Sequence, residues 1–359
     1  MKLRVGVIFG GRSGEHEVSL VSATSVIEAL DRTRYEIVPI GITPEGRWIS
    51  SARALDLLKS RGDLTGEPDR FLLPEPGRNT NVDVVFPLVH GTFGEDGTLQ
   101  GLLELADIPY VGAGVIGSSL GMDKILQKKL FSHAGLPIAK YLWFLSSQCR
   151  EKSRSVIQEV DDALEYPLFV KPANTGSSVG ISKAHNRKDL AAALGLATRF
   201  DRKVVVEQGI GNIREIEISV LGNDAPVASV AGEIIPSNEF YDYDAKYVDG
   251  KSTIIIPADL PKKVIKQLQQ YAVDAFRSLD CCGMARVDFF VTRRNRIYLN
   301  EINTIPGFTS ISMYPKLWEA SGLEYGSLLD KLIQLAMERH KEKSALSHRY
   351  NPVREWYRG

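Results

Sequence analysis

The segment 285–310, ARVDFFVTRRNRIYLNEINTIPGFTS, constrains the fold more strongly than any other part of the chain. Two runs rich in β-branched and aromatic residues flank a short polar turn, and apolar residues alternate with polar ones in both runs. This pattern predicts an antiparallel hairpin with one polar face. A two-residue turn at Arg294 and Asn295 would set its register.

The predicted register brings four polar residues onto one face of the hairpin. Asp288 lies opposite Glu301, and Arg286 lies opposite Asn303. Because directly opposed carboxylates repel each other, a positive charge is needed between them. Carboxylate and amide oxygens without a nearby His or Cys suit Mg²⁺ or Mn²⁺. The alternative is a water-exposed face on which Arg286 neutralises one carboxylate, and a one-residue slip in register would separate the acidic pair.

The N-terminal part has the pattern of a parallel α/β sheet. Residues 3–9, LRVGVIF, predict a buried strand, and an amphipathic helix follows. A second strand at 36–42 and an apolar run at 82–89 continue the pattern. Glu15 then lies just past the first strand, at the sheet edge where α/β proteins bind ligands. It is placed to hold an ammonium group there, or only to complement the dipole of the helix that follows.

A Gly/Ser-rich loop follows a strand in the middle of the chain. In VKPANTGSSVGIS, residues 170–182, Lys171 ends the strand and the loop can turn backbone N–H groups toward one anion. An ordinary hairpin turn is the alternative. The GKS at 250–252 is not the end of a P-loop, because Ala245 stands where the first glycine is required and a strand-like run follows.

Two further polar segments leave their roles open. His90 in HGTFGEDG ends a strand-like run, where a histidine is either structural or functional. Residues 241–253, YDYDAKYVDGKST, show neither helical nor strand periodicity. They suit a mobile lid and an ordinary exposed loop equally well.

Composition narrows the class of partner. The chain has 359 residues, more than one hydrophobic core usually holds, so two or three domains are expected. Lys plus Arg and Asp plus Glu are 44 each, so no net positive charge favours nucleic acid or an anionic membrane. The three cysteines lack metal-site and disulfide spacing, and no apolar run approaches the ~18 residues of a membrane helix. With no leader-like segment before the first strand, a cytoplasmic protein that acts on small molecules is expected.

Eight motifs occur in order along the chain: GGRSGEHEVSL, HGTFGEDGTLQG, MDK, FVKPANTGSSVGISK, REIEISVLGN, YDYDAKY, ARVDFF and NEINTIPGFTS. Together they closely resemble the D-alanine:D-alanine ligases of the ATP-grasp superfamily. The resemblance implies an α/β fold of three domains, with ATP between the last two, and a homodimer, since the family is often dimeric. The expected units are an N-terminal substrate-binding domain with a parallel sheet at 1–114, a central ATP-grasp subdomain at 115–211, an α+β catalytic ATP-grasp domain at 212–340, and an extension of unknown role at 341–359.

The resemblance also implies how ATP and metal are bound. The residues that correspond to family contacts with ATP are Lys124, Lys171, Ser178, Glu207, Glu215 and Lys246. The lysines match phosphate contacts, Glu207 the contact to the adenine amino group, and Glu215 the contact to the ribose. Asp288, Glu301 and Asn303 correspond to the ligands of two Mg²⁺ ions, which Mn²⁺ can replace.

For the first D-alanine, the resemblance assigns the ammonium contact to Glu15, which in the family is hydrogen-bonded to the equivalents of Ser177 and Tyr247. Tyr247 also accompanies D-alanine, rather than D-lactate or D-serine, as second substrate. His90 matches a histidine near the reacting phosphate.

For the second step, Arg286 and the Gly307 N–H match the site that stabilises the oxyanion, and Ser312 matches a contact to the second substrate's carboxylate. The implied reaction joins two D-alanines through an acyl phosphate, releases ADP and phosphate, and supplies peptidoglycan precursors. The alternatives are a D-alanine:D-lactate or D-alanine:D-serine ligase, and a non-catalytic ATP-binding module. Retention of the metal ligands and of Arg286 argues against the module.

Overall fold

The computed structural model describes residues 2–49, 54–56, 58, 82–236, 253–309 and 311–347. Its strands form three sheets that follow one another along the chain. The strands are β1 (Leu3–Gly10), β2 (Tyr35–Ile42), β3 (Trp48–Ile49), β4 (Val84–Pro87), β5 (Tyr141–Leu145), β6 (Leu168–Pro172), β7 (Ser182–Ala184), β8 (Lys203–Gln208), β9 (Ile213–Gly222), β10 (Val227–Ile235), β11 (Thr253–Ile255), β12 (Gly283–Thr292) and β13 (Ile297–Asn303). The helices are α1 (His16–Ala29), α2 (Thr98–Leu105), α3 (Val115–Met122), α4 (Lys124–His133), α5 (Ser146–Glu151), α6 (Ser153–Ala163), α7 (Arg187–Ala197), α8 (Lys262–Ser278), α9 (Met313–Ala320) and α10 (Tyr325–Ser344).

The first sheet has the strand order β3-β2-β1-β4 and positions Glu15. β1 runs parallel to β2 and β4, whereas the short β3 is antiparallel to β2. β1 and β4 are rich in Val, Ile and Phe and largely buried, as expected of parallel strands covered on both faces. The strands predicted at 3–9 and 36–42 are confirmed, and the apolar run 82–89 contains β4.

The second sheet has the order β5-β8-β6-β7 and is antiparallel throughout. Helices α6 and α7 contribute Val156, Val160 and Leu190 to its core. β6 and β7 pair with each other, so residues 173–181 form the connection of a hairpin. The sheet therefore carries the Gly/Ser-rich loop at one end.

The third sheet has the order β11-β10-β9-β12-β13 and is also antiparallel. Along β12 buried apolar residues alternate with half-buried ones, of which all but Phe290 are polar, as the sequence predicted. Val287 and Phe289 pack in one core with Leu268 and Phe276 of α8. The opposite face of β12 is left for polar residues.

The predicted register of the hairpin is confirmed at the residues that matter for the site. β12 and β13 pair Asp288 with Glu301 and Arg286 with Asn303. Since directly paired residues share one face of a sheet, the four side chains lie on the same side.

The predicted turn of this hairpin is wrong. Val291 pairs with Ile297, and Thr292 donates its N–H to the Arg296 carbonyl, so three residues, 293–295, connect this last bonded pair instead of two, with Asn295 at φ +59°. Farther along β13, Asn300 is the extra residue of a β-bulge. The bulge offsets the longer turn by one residue and so restores the predicted pairing of the acidic side chains.

Helices α3 and α4 are separated at Asp123, whose carboxylate accepts the N–H groups of Ile125 and Leu126 at 3.0 and 3.1 Å. This N-cap makes Lys124 the first residue of α4. At the other end of the chain, α10 runs to Ser344 and crosses the boundary predicted at residue 340. Within the described residues no helix has the length and apolar character needed to span a bilayer.

Candidate active site

A cleft of about 430 Å³ is lined by strands of the third sheet and by segments that follow strands of the first and second sheets. It brings together ten of the site residues predicted from the sequence. These are Glu15, His90, Lys124, Ser177, Ser178, Arg286, Glu301, Asn303, Gly307 and Ser312. The cleft is therefore the candidate active site.

Glu15 connects the first sheet to the Gly/Ser-rich loop. It directly precedes α1, but its side chain makes no capping hydrogen bond to that helix. Instead, Ser177 Oγ donates to Glu15 Oε1. Ser13 Oγ accepts the Glu15 N–H at 3.2 Å and donates to the carbonyl of His90 at 2.8 Å, which fixes the backbone here. This position in the cleft favours a ligand-binding role over a simple helix-dipole interaction.

The Gly/Ser-rich loop adopts an unusual backbone. Ser177, Ser178 and Gly180 have φ values of +45°, +59° and +75°. A non-glycine residue in this left-handed region costs about 1–2 kcal/mol, so the conformation is kept against a local cost. Asn174, held by the Asp201 carboxylate at 2.7 Å, anchors the start of the loop. Consecutive turns of this kind can direct several N–H groups toward one anion.

Lys124 ties this loop to the third sheet. Its Nζ donates to the carbonyl of Thr175 at 2.8 Å and lies 3.7 Å from Glu301 Oε2. The side chain is only 10% exposed, so its charge is poorly screened by water. The ammonium is thereby positioned between the loop and the acidic hairpin, where phosphate oxygens are expected.

Three carboxylates lie side by side across β9, β12 and β13. Asp288 is opposite Glu301 on one side and opposite Glu217 on the other. Arg286 donates twice to Asp288, each time at 2.8 Å, and its Nε is 2.9 Å from Glu217 Oε2. The ion pair of the alternative interpretation is thus present. The face is nevertheless not open to water, because the Asp288 and Glu301 side chains are only 15% and 22% exposed.

The oxygen donors on this face fit part of the coordination shell of a hard divalent cation. Asp288 and Glu301 offer carboxylates, and Asn303 Nδ2 donates to Asp288 Oδ2 at 3.0 Å, so the amide oxygen is the atom left for a cation. Among the residues that the structure describes, no group of three or more His, Cys, Asp or Glu is arranged to hold a metal. Two carboxylates and one amide leave the other positions of an octahedral Mg²⁺ to water and phosphate oxygens, as is usual at nucleotide sites.

The loop after β13, which carries Gly307, is held by side chains from the first 100 residues. His90 Nδ1 bonds the Ile305 carbonyl at 3.1 Å, and Glu95 accepts the Ile305 N–H at 3.1 Å. The second ring nitrogen of His90 lies 3.1 Å from Ser22 Oγ. Burial lowers the pKa of His90, although the nearby Glu15 carboxylate acts to raise it. The lowered pKa favours the neutral ring. His90 thus supports the Gly307 loop, and its contact with a phosphate stays a prediction.

Glu95 is a cleft residue that the sequence analysis missed. Besides the Ile305 N–H, its carboxyl group accepts the Gly91 N–H at 2.7 Å. Burial, with repulsion from Glu15, raises the pKa of Glu95 to about 8. Two neighbouring carboxyl groups therefore need not both be charged before a substrate ammonium arrives.

The far end of the cleft is formed by the start of α9, a helix that the sequence analysis did not predict. Ser312 directly precedes this helix, and its Oγ accepts the Thr309 N–H at 3.0 Å. Lys316, one turn later, also lines the cleft. A helix N-terminus beside a hydroxyl and an ammonium suits a carboxylate ligand.

A buried cluster of charges adjoins the acidic hairpin. Glu207 lies between two lysines, with Lys171 Nζ 3.1 Å from Oε2 and Lys128 Nζ 3.1 Å from Oε1. Lys171 also approaches Asn300 Oδ1 at 3.4 Å. Burial alone would raise the pKa of Glu207, but the two lysines outweigh it and the pKa is lowered, so the carboxylate is ionised.

Comparison with known proteins shows which family the chain resembles. A model of the D-ala D-ala ligase N-terminus matches residues 4–113, and a model of the D-ala D-ala ligase C-terminus matches residues 130–334. The chain belongs to the D-alanine–D-alanine ligase family. A D-alanine–D-alanine ligase from Natranaerobius thermophilus is 51% identical over 354 residues, with 95% of this chain and 97% of that protein covered.

Solved structures confirm the fold class of this ligase. The D-alanine–D-alanine ligase from Coxiella burnetii has a TM-score of 0.82 at 42% identity, with 96% of each chain covered. The VanG D-Ala:D-Ser ligase from Enterococcus faecalis also has a TM-score of 0.82, at 39% identity, with 94% of this chain and all of that chain covered. The predicted α/β architecture of the ATP-grasp ligases is thus confirmed, whereas the domain boundaries stay predictions.

Some predicted site residues of the ligase lie elsewhere. Asp288, Lys171 and Glu207 do not line the cleft. Asp288 accepts a hydrogen bond from Arg286, which does line it. Lys171 contacts Asn300 of the acidic hairpin, and Glu207 contacts Lys171. Glu215 is half-buried on β9, and its predicted contact with the ribose stays a prediction. The lid at 241–253, with Lys246 and Tyr247, falls almost wholly outside the described residues.

The residues that sequence reasoning missed had only weak signals. Glu95 follows His90 by five positions inside a motif that was recognised, but nothing in the spacing showed that both hold the same loop. Glu217 follows Glu215 by two positions, and only the pairing of β9 with β12 brings it beside Asp288. Lys128 follows Lys124 by one helical turn, which is a sign that both lie on one helix face.

Proposed function

We propose that this family member joins two D-alanines to D-alanyl-D-alanine and converts ATP to ADP and phosphate. One observation carries the proposal: Glu15, suited to an ammonium, and Glu301 with Asn303, suited to a nucleotide-bound cation, line the same cleft. An amino acid held at Glu15 by its ammonium group would then have its carboxylate within reach of the terminal phosphate of ATP.

In the first step, the carboxylate of the first D-alanine attacks the γ-phosphorus, the bond to the ADP oxygen breaks, and an acyl phosphate forms. Glu15 orients the substrate by its ammonium, and Ser177 fixes the Glu15 carboxylate. Lys124 and Lys171 meet the negative charge of the phosphates. Mg²⁺ held by Asp288, Glu301 and Asn303 would supply further charge neutralisation at the phosphate oxygens.

In the second step, the amine of the second D-alanine attacks the acyl carbon, the bond to phosphate breaks, and the amide forms as the nitrogen gives up a proton that the leaving phosphate takes up. Arg286 and the Gly307 N–H stabilise the oxyanion, and each such donor is typically worth about 3 kcal/mol of barrier. The Ile305 contacts to His90 and Glu95 keep the Gly307 loop in place.

Ser312, with the N-terminus of α9 and Lys316, provides the place for the carboxylate of the second substrate. Binding there turns its amine toward the acyl phosphate that Glu15 holds. Since water would destroy the acyl phosphate, the reaction also requires that the cleft closes, and the segment 241–253 is proposed to close it.

We propose four finer points as well. The second substrate is D-alanine, supported by Tyr247 and by relatives named D-alanine–D-alanine ligases, whereas the similarity to a D-Ala:D-Ser ligase keeps D-serine as the competing acceptor. The enzyme works in the cytoplasm on peptidoglycan precursors, and it forms a homodimer. Divalent Mg²⁺, replaceable by Mn²⁺, is the metal.

The test is product identification. Incubation with ATP, Mg²⁺ and D-alanine should yield D-alanyl-D-alanine, ADP and phosphate in equal amounts, as measured by mass spectrometry and phosphate release. Parallel reactions with D-serine or D-lactate beside D-alanine measure acceptor choice. The absence of D-alanine-dependent phosphate release would refute ligation, and preferred formation of the mixed product would replace the proposed acceptor.

A further inference from the structure

Lys128 is a buried lysine that has no role in the reaction proposed above. It lies in α4, and its side chain is 2% exposed. The Nζ atom lies 3.1 Å from Glu207 Oε1 and 5.8 Å from the centre of the Tyr141 ring. Burial lowers the pKa of Lys128 against the pull of Glu207. Removing a charged group from water this completely is unfavourable unless a specific contact compensates for it.

The two lysines beside Glu207 are not equivalent. Lys171 is 10% exposed and shares its ammonium between Glu207 Oε2 and Asn300 Oδ1. Lys128 is almost fully enclosed and forms an ion pair with the other oxygen, Oε1, at 3.1 Å. Lys171 is therefore the lysine that can leave Glu207 to contact a ligand, whereas Lys128 stays beside Glu207.

Charge neutralisation of Glu207 alone does not account for this arrangement. Lys171 already neutralises the carboxylate, so a second buried lysine adds desolvation cost with little gain in stability. The second lysine becomes necessary when Lys171 turns toward phosphate oxygens, because Glu207 would otherwise be left as an unpaired buried charge.

We propose that Lys128 is a positioning residue for nucleotide recognition: it holds Glu207 ionised and oriented by Oε1, so that Oε2 accepts an amino hydrogen of the purine base. An ionised carboxylate only accepts hydrogen bonds. It therefore attracts the 6-amino group of adenine and repels the 6-oxo group of guanine. The inference rests on the proposed use of ATP, and it adds a residue that positions the carboxylate on which the choice of base depends.

The experiment measures the Kd of MgATP and MgGTP by calorimetry, and the KM for ATP and for D-alanine by ADP release. Lys128→Met removes the charge at similar volume. It should raise the Kd and KM for ATP roughly 10- to 100-fold, as expected from one weakened charge-assisted hydrogen bond. It should also reduce the preference for ATP over GTP, while kcat and the KM for D-alanine stay within about twofold.

The neighbouring Lys129 is the matched control, because it is exposed and lies over the Trp143 ring. Lys129→Met should leave the affinity for both nucleotides unchanged. A purely structural role for Lys128 would instead lower the melting temperature of Lys128→Met without changing the ratio of ATP to GTP affinity. That result would overturn the proposal.

A double variant guards against loss of folding. In a Glu207→Gln background the carboxylate is already gone, so adding Lys128→Met should change the affinity for ATP less than twofold. A further rise of tenfold or more would show that Lys128 acts independently of Glu207 and would overturn the proposal, even if Lys128→Met alone does not fold. Because the binding measurements contain no D-alanine, they test Lys128 even if the chain fails to ligate D-alanine.

Discussion

Replacement of Gly176 by alanine tests whether Glu15 is held in a working position by the Gly/Ser-rich loop. A Cβ atom added at Gly176 would overlap Glu15 Oε2 and would lie 3.2 Å from Glu15 Cδ. The φ of Gly176 is not in the left-handed region, so alanine itself fits the backbone. The atoms in the way belong to the end of a flexible side chain. The Glu15 carboxylate therefore moves, rather than the loop.

The size of the effect follows from this displacement. Restoring ordinary contact requires the carboxylate to retreat by about 1 Å, and an error of that size at a reacting centre can cost about 100-fold in rate. The contact that we propose is lost is a charge-assisted hydrogen bond to the substrate ammonium, worth about 1.5–3 kcal/mol. The KM for the first D-alanine should rise roughly 10- to 100-fold, whereas the KM for ATP should change less than about threefold.

Steady-state ADP release at varied D-alanine and ATP separates the two Michaelis constants, and a thermal melt checks folding. Gly195→Ala is the matched control, because a Cβ atom there meets nothing within 4 Å. It should leave both constants unchanged. A folded Gly176→Ala protein with the D-alanine kinetics of the unsubstituted enzyme would refute the assignment of Glu15 to the substrate ammonium.

The metal ligands, Glu95 and Cys149 each provide a further testable prediction. Asp288→Asn or Glu301→Gln should lower turnover roughly 10²- to 10³-fold and weaken its dependence on Mg²⁺, with melting within about 4 °C of the unsubstituted enzyme; near-normal rates in both would contradict the metal site. Because the pKa of Glu95 is raised to about 8, its protonated form stabilises the fold fully below the usual glutamate pKa, and this contribution is lost as pH rises toward 8. Glu95→Gln lacks that loss, so its melting temperature relative to the unsubstituted enzyme should rise between about pH 5 and about pH 9, and a flat or falling difference would argue against the raised pKa. Burial raises the pKa of Cys149 to about 11, so at about pH 8 its labelling by a maleimide should be much slower in the folded than in the unfolded protein; equal rates would show an accessible thiol.

The alternation of apolar and polar residues predicted the strand pairing that depends on it. Alternation in β12 and β13 was enough to place Asp288 opposite Glu301, because one buried face fixes the register. The same reasoning mistook the turn, since nothing in the sequence distinguishes a two-residue turn from a three-residue turn followed by a bulge at Asn300. The pairing was correct only because these two departures cancel.

Contacts between distant segments were beyond such reasoning. Spacing alone does not show that Ser177 donates to Glu15, 162 positions earlier, or that Glu95 holds the Ile305 N–H, 210 positions later. Such contacts depend on how the three sheets are arranged around the cleft. The family resemblance supplied the role of Glu15, but it did not point to Glu95 or to Lys128.

The most direct test of the metal site is a crystal structure of the enzyme with ADP and Mg²⁺. We expect a metal ion about 2.0–2.1 Å from carboxylate oxygens of both Asp288 and Glu301, with Arg286 no longer bound to both oxygens of Asp288. Magnesium bound to other residues, with the Arg286–Asp288 pair intact, would contradict it.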